Sequence, residues 1–411
     1  MVTETKDTIV LGGGLSGIGY LYSNKDALLI EKNSKLFGHV RSKKFENFFF
    51  DQGAHICHSK DEKWRQLIDF ENLNEFTSSD VSNLKNGRWI GYPVQNNLKD
   101  IDERDIAFKE IKECLQLKPR IDNYENWCFD VYGKYLTEEY YRKFTSKYWR
   151  TNMEDMSTEW LNGRIMPIDF KRVISGYNGK STSQAVFSKY YYPPDGGFEA
   201  LFSKIKSKLA KGSYILDSKV VHIDLEKKLL ILECGKKYNY KKLISSLPIT
   251  EFIKISNLDF NSEVFKYNNL ILTGIVVEGS SDSYPDWFYV YDQDIEFSRV
   301  MNISKVQKKV KNKLALQLET FRRCDEQYNF LELTKKIEND ICTLLGHKKE
   351  NMKIFHKKIE YSYVVPTHGI KEHVMNIKHS LKKFNVHLIG LYGNWEYVWS
   401  DAAFMQGFNY E

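Results

Sequence analysis

The 411-residue chain has only 8 prolines, no Cys-x-x-Cys pair and no apolar run of membrane-spanning length. Scarce proline argues against a linker-rich scaffold. The six cysteines, at positions 57, 114, 128, 234, 324 and 342, are scattered and have no histidine cluster of zinc spacing near them, so no metal is expected. With neither a leader pattern nor a spanning run, the chain reads as a cytoplasmic protein with reduced thiols. A block of like charge is also missing. Lys and Arg number 60 against 54 Asp and Glu, a formal charge of +6, so no nucleic-acid partner is expected. What the chain has in quantity is aromatic surface, with 26 Tyr, 25 Phe and 8 Trp. At 42% hydrophobic residues it excludes a disordered or collagen-like polymer and is long enough for two or three domains around large cavities.

The first patterned segment, Asp7 to Leu11, reads as a buried parallel strand that leads directly into Gly12-Gly13-Gly14-Leu15-Ser16-Gly17. Gly12, Gly14 and Gly17 fit G-x-G-x-x-G, and the next apolar run, Ala27 to Ile30, ends in Glu31, about twenty positions on. Each part has a task. The glycines permit a tight turn and a close approach of backbone N–H groups to a pyrophosphate at the positive end of a helix, and the carboxylate accepts from a ribose diol. The glycines alone do not separate NAD from FAD.

Between about Asn97 and Gly163 a helical periodicity with one proline, Pro119, predicts a helical insertion. Short β-rich runs follow at Tyr214–Leu216, Val220–Ile223, Leu229–Leu232 and Lys242–Ser246, and from Tyr267 to Ser304 Gly- and Asp-broken runs predict antiparallel strands. His387–Gly390 reads as a last strand before a helix containing Ala402, Ala403 and Phe404. The expected organisation is a discontinuous nucleotide domain (1–90, 190–250 and 345–411), a helical insertion (91–189) and an antiparallel sheet (251–344). Residues 175–188, rich in Ser, Gly and Asn, are expected to form a mobile lid.

Gly38-His39-Val40-Arg41-Ser42 and Phe50-Asp51-Gln52-Gly53-Ala54-His55 resemble FAD-contacting loops of the flavoproteins that include amine oxidases. Gly390 to Tyr397, with Asp401 and Gln406-Gly407, resembles their terminal flavin motif. Gly53-Ala54-His55-Ile56-Cys57-His58-Ser59 is similar to the G-A/P-H-x-F-H-T segment of the UDP-galactopyranose mutase family. Tyr92 to Asn97, Phe144 to Trp149 and Tyr192 to Gly197 match further mutase segments in the same order.

The resemblance implies an α/β fold: a Rossmann-type FAD-binding domain with a helical insertion and an antiparallel-sheet substrate domain. It implies FAD as cofactor and a nucleotide-sugar substrate whose pyranose and furanose forms interconvert through reduced flavin N5, for surface polysaccharide biosynthesis, in a homodimer. It places Gly12, Gly14, Leu15, Ser16, Gly17, Glu31, Lys32, Gly38, His39, Arg41, Ser42, Gly53, Ala54, His55, Val220, Gly393, Tyr397 and Asp401 on the cofactor. It puts His55 beside the flavin in a positional role, Arg299 and Lys189 on the substrate diphosphate, and the Tyr363 phenol within reach of a phosphate. The alternative is an oxidoreductase of the amine-oxidase or protoporphyrinogen-oxidase type.

Three positions depart from the family pattern. Lys189 stands where the mutase has a mobile-loop arginine, and lysine neutralises phosphate without a bidentate fork. Leu391 replaces the arginine of the terminal Gly-Arg pair, so one cofactor-phosphate contact must come from elsewhere, and Phe37-Gly38-His39 replaces Gly-Gly-Asn.

Overall fold

In the first of two seven-stranded sheets the order is Val220–Asp224, Leu229–Leu232, Lys237–Ser245, Thr3–Leu11, Leu28–Ile30 and Tyr214–Ile215, with Val386–Leu388 also pairing Lys237–Ser245. These strands belong to a computed structural model that describes residues 3–77, 80–161, 164–165, 168–180, 189–307, 310, 312–346 and 348–411. The central strands run parallel, Ile9 opposite both Leu28 and Leu243. Both faces are covered, which is why the run is continuously apolar. Val10 packs with Ile18 and Phe404 on one face, while Ile9 and Leu11 join Ile249, Phe252 and Val374 on the other.

The helix Leu15–Ser23 lies against the helix Ser400–Phe408, backbone to backbone. A Cβ at Gly19 would sit 2.2 Å from the Phe404 carbonyl, and one at Gly407 would sit 1.8 Å from that of Ser16. Only glycine fits at either position.

The second sheet orders Met352–Val364, Tyr267–Glu278, Lys313–Arg323, Arg299–Asn302, Trp287–Val290, Val81–Lys85 and Arg88–Gly91. Leu270, Leu272 and Val276 face the interior of the molecule, while Ile271, Ile275 and Val277 pack under the helix Phe330–Leu345 through Leu333, Ile337 and Ile341. The sheet extends beyond the expected 251–344. Residues 81–90 and 352–364, expected from sequence in the nucleotide domain, lie in strands of this sheet, because Val81–Lys85 pairs in parallel with Trp287–Val290 and Met352–Val364 pairs with Tyr267–Glu278. The insertion is helical as expected, with Arg104–Cys114, Tyr124–Leu136, Thr137–Arg142, Lys143–Tyr148 and Phe170–Tyr177. The expected lid begins within this last helix, and residues 181–188 lie outside the described residues. Among the described residues no helix is long and apolar enough to cross a membrane.

Candidate functional site

A cavity of about 940 Å³ lies between the glycine turn and the interior face of the second sheet. Gly12, Gly14, Leu15 and Ser16 form part of its wall, together with Glu31, Lys32, Gly38, His39, Arg41 and Val220. Gly12 has φ +94°, the left-handed turn that glycine tolerates. A Cβ at Gly17 would lie 2.0 Å from the Gly12 carbonyl, so Gly17 packs the turn and does not line the cavity. At Gly14, by contrast, a Cβ would meet nothing within 4 Å. The turn therefore leaves open space where backbone amides begin the helix Leu15–Ser23.

Glu31 is buried and braces this turn. Its Oε2 accepts from the Gly13 amide at 2.6 Å, and its Oε1 accepts from the amide and side chain of Asn33 at 2.7 and 2.5 Å. Three of roughly four acceptor sites of a carboxylate are thus used within the protein, which leaves about one for a ribose hydroxyl. Gly38 abuts the same turn, a Cβ there approaching Gly14 to 3.2 Å. Arg41 donates through Nε to the Gly38 carbonyl, and His39 Nδ1 lies 2.9 Å from the Tyr392 hydroxyl. Burial, with the charges of Arg41, Lys357 and Lys32 behind it, pushes His39 down to about 4, so its ring is neutral near pH 7. Lys32, Arg41 and Lys357 have no carboxylate partner among the described residues, and all three line the cavity. Burial and the like charges of Arg41, Lys43 and Lys35 lower the pKa of Lys357. Uncompensated cations crowded at a helix N-terminus suit an anionic diphosphate.

The Gly53-Ala54-His55 loop crosses the middle of the cavity. His55 stacks on Phe198 with centroids 5.0 Å apart, and its buried Nδ1 has no partner among the described residues. Burial first, then the charges of His39 and Arg299, press its pKa down to about 3, which suits a fixed neutral ring and not a general base.

The other end is aromatic, with Tyr92, Trp287, Tyr289, Tyr363, Tyr397 and Trp399 in the wall. The expected residues Arg299 and Tyr363 meet here, Arg299 Nη2 donating to the Tyr363 hydroxyl at 3.1 Å. The guanidinium is also bound to Glu319, with Nε and Nη2 at 2.7 and 2.6 Å from Oε2. Burial is the largest single influence and opposes the Arg299 charge, but the Glu319 carboxylate together with Tyr148, Tyr363 and Tyr289 outweighs it and holds the pKa well above the ordinary arginine value. Glu319 also accepts from the Ala54 amide at 2.8 Å, tying the His55 loop to the cation. A bulge positions Tyr363. Asn268 pairs with Tyr363 but Leu270 pairs with Ile359, and within the slip Tyr361 takes φ +55°.

Lys189 is not part of this site. It begins the strand Lys189–Tyr192, whose alternation buries Tyr190 and Tyr192 and turns Lys189 outward onto Glu75 at 2.7 Å. Ser42, Gly393 and Asp401 also lie outside the cavity wall. The Ser42 hydroxyl donates to buried Asp51 at 2.5 Å, Gly393 packs against Ser245 and Leu388, and Asp401 stands in the first turn of Ser400–Phe408. Sequence reasoning missed Glu319 and Lys357, neither of which belongs to a motif. They reach the site through strand register, Arg299 opposite Glu319 and Leu272 opposite Lys357.

With this geometry in view, residues 10–70 match the family model for an NAD(P)-binding Rossmann-like domain. The whole chain superposes on the crystal structure of reduced UDP-galactopyranose mutase with a TM-score of 0.87 and 21% identity, covering 98% of this chain and 94% of that one. This chain has the fold of the mutase. It is also similar to a protein assigned as protoporphyrinogen oxidase from an Exiguobacterium species, at TM-score 0.76 and 14% identity, covering 99% of this chain and 98% of that one. For putrescine oxidase bound to putrescine the figures are 0.64 and 12%, with 99% and 98% covered. The fold thus spans sugar-nucleotide and amine chemistry, and the residues must discriminate.

Proposed function

We propose that the protein is an FAD-dependent sugar-nucleotide mutase that interconverts ring forms of a nucleoside diphosphate hexose. The observation that carries the reading is the partition of one cavity into a cation-rich glycine-turn end and an aromatic end holding Arg299 and Tyr363. FAD fits the first end. The open space at Gly14, the amides of the helix start and the uncompensated Lys32, Arg41 and Lys357 match a cofactor diphosphate, and the orphaned Nδ1 of His55 awaits a polar partner in mid-cavity. Lys357 and Arg41 supply charge that Leu391 does not. When bound, reduced flavin would supply a nucleophilic centre beside the sugar, with no net redox change.

The chain's own residues then bind and orient. Arg299, aimed by Glu319, stabilises charge growing on phosphate oxygens as the diphosphate departs, and the Tyr363 hydroxyl adds a hydrogen bond. Tyr92, Tyr289 and Tyr397 offer flat faces and hydroxyls to a sugar or base and exclude water.

The test is to incubate FAD-loaded protein with UDP-, dTDP- and GDP-hexoses, with and without dithionite, and resolve pyranose from furanose products chromatographically. Ring interconversion in the reduced sample alone is the expected result. A second reading, an oxidoreductase, is favoured by the neutralisation of Arg299 by Glu319, since hydride removal needs no free cation. Oxygen consumption with an amine, and no sugar interconverted, would decide for it.

A further inference from the structure

The helix Lys143–Tyr148 supplies no side chain to the cavity wall, yet it and Trp149 just beyond it back four residues that do. Phe144 meets Tyr289 edge-on with ring centroids 5.4 Å apart. The Tyr148 ring lies 5.5 Å from the Arg299 guanidinium carbon and 5.3 Å from the Tyr363 ring, while Trp149 packs on Tyr363 and Tyr397 at 5.9 and 5.5 Å. The side-chain amide of Asn268, which stands opposite Tyr363 in strand register, donates to the Tyr148 and Trp149 carbonyls at 3.1 and 2.9 Å and fixes the end of the helix.

This helix also buries a cation. Lys147 is 7% exposed, and its Nζ donates to the Val290 and Asp292 carbonyls at 3.0 and 2.7 Å. It has no carboxylate partner among the described residues, and the positions outside them hold no Asp or Glu. Asp292, Asp294 and Glu296 act on it from the chain after Trp287–Val290, and Asp340 from the helix Phe330–Leu345, but Glu296 is bound to Arg322 and Asp340 to Lys336. On its own helix Lys143 is neutralised by Glu139. Burial outweighs these acids and presses the Lys147 pKa down to about 8.

A buried ammonium without a counter-ion is costly, and packing alone would be served by a methionine of the same length. What the ammonium adds is direction, because charge-assisted hydrogen bonds hold one geometry. Val290 directly follows Tyr289, so these two bonds join the helix that backs Arg299, Tyr363 and Tyr397 to the strand that carries Trp287 and Tyr289. The two halves of the aromatic end thus meet at one charged group.

We propose that Lys147 is a positioning residue of the substrate end, whose ammonium sets where the Arg299–Tyr363 pair stands relative to Tyr289 and so governs affinity for the nucleotide sugar. It touches neither substrate nor cofactor. The assignment rests on the nucleotide-sugar reading above.

The experiment takes wild type, Lys147→Met and Lys147→Arg in excess FAD from about pH 7 to about pH 9. UDP binding is followed by the flavin spectrum, aromatic packing by near-ultraviolet circular dichroism, and melting is recorded at neutral pH without UDP. The Lys147 cation is present below its pKa and lost as pH rises through it, so wild-type UDP affinity and aromatic dichroism should decline together near pH 8. Tyrosinate does not account for such a change, since burial holds the phenols of Tyr148, Tyr289 and Tyr397 above their ordinary range. Lys147→Met is expected to melt close to wild type and keep FAD, but to bind UDP about tenfold more weakly at neutral pH with no alkaline decline. Lys147→Arg, charged throughout, should also lack the decline. Unchanged UDP affinity in Lys147→Met, or an alkaline decline surviving in either variant, would overturn the assignment and leave the mutase reading intact. Should Lys147→Met fail to fold, Lys147→Arg decides: a flat profile supports the assignment, and a decline parallel to wild type overturns it. Wild type that binds no UDP would sink the nucleotide-sugar reading, and the dichroism then decides for Lys147. A step in wild type alone supports its positioning role, whereas a step shared with the variants, or absent from wild type, overturns it.

Discussion

At the glycine-turn end of the cavity Lys32, Arg41 and Lys357 stand without carboxylate partners, whereas at the aromatic end Arg299 is clamped to Glu319 at 2.6 Å. The first arrangement suits a resident anion that stays and neutralises the cluster. The second suits a ligand that comes and goes, because Glu319 keeps the buried guanidinium satisfied while the site is free. The lesson is that position and pairing matter more than the number of cations.

Glu319→Ala strikes this contrast hardest. It leaves the largely buried Arg299 charge and the Ala54 amide without their acceptor, and a loss of about 3–5 kcal/mol is expected from thermal or denaturant unfolding. Glu319→Gln, which keeps a carbonyl for Ala54, should lose less. Equal stability of Glu319→Ala and wild type would erase the distinction between the two ends.

Gly14→Ala separates folding from loading. The added methyl meets no protein atom, so the apoprotein should melt unchanged, while FAD affinity falls about tenfold to a hundredfold as the methyl enters the space reserved for the diphosphate. Unchanged FAD binding would place the diphosphate elsewhere.

Lys357→Ala should weaken FAD binding about threefold to tenfold and reduce its sensitivity to salt, as read from flavin fluorescence quenching. The sign of the pH effect follows from the lowered pKa of Lys357. Its cationic form is lost as pH rises, earlier than for an ordinary lysine, so wild-type affinity should decline in alkali along a limb that the variant lacks.

The smallest effect is expected from Lys189→Ala, which removes one exposed ion pair and should leave UDP affinity and melting unchanged. A clear loss of UDP affinity would return Lys189 to the site.

The glycine turn was legible in the sequence because its constraints are local: strand, turn, helix start and Glu31 fall within about thirty residues, the span of a βαβ unit. His55, Arg299 and Tyr363 were reachable through motif resemblance, and the structure brings Arg299 and Tyr363 into direct contact. Glu319 was not legible. It meets Arg299 only because two antiparallel strands adopt one register, which no single segment encodes. Lys189 matches the mutase pattern only by its place in the sequence, which says nothing of the alternation that turns its side chain outward at the start of Lys189–Tyr192. That residues 81–90 and 352–364 pair within the second sheet was not legible for a related reason, their strand partners being distant in sequence.

The glycine contacts between Leu15–Ser23 and Ser400–Phe408 bear on the order of events during synthesis. The helix that opens the nucleotide turn emerges from the ribosome long before the helix it needs for cover. Until then the face of Ile18 that meets Phe404 has nothing to pack against, and the wall supplied by Tyr397 and Ala403 is missing. Cofactor capture therefore waits for residues 400–408, and a nascent protein arrested before residue 400 should emerge colourless however long it waits in FAD.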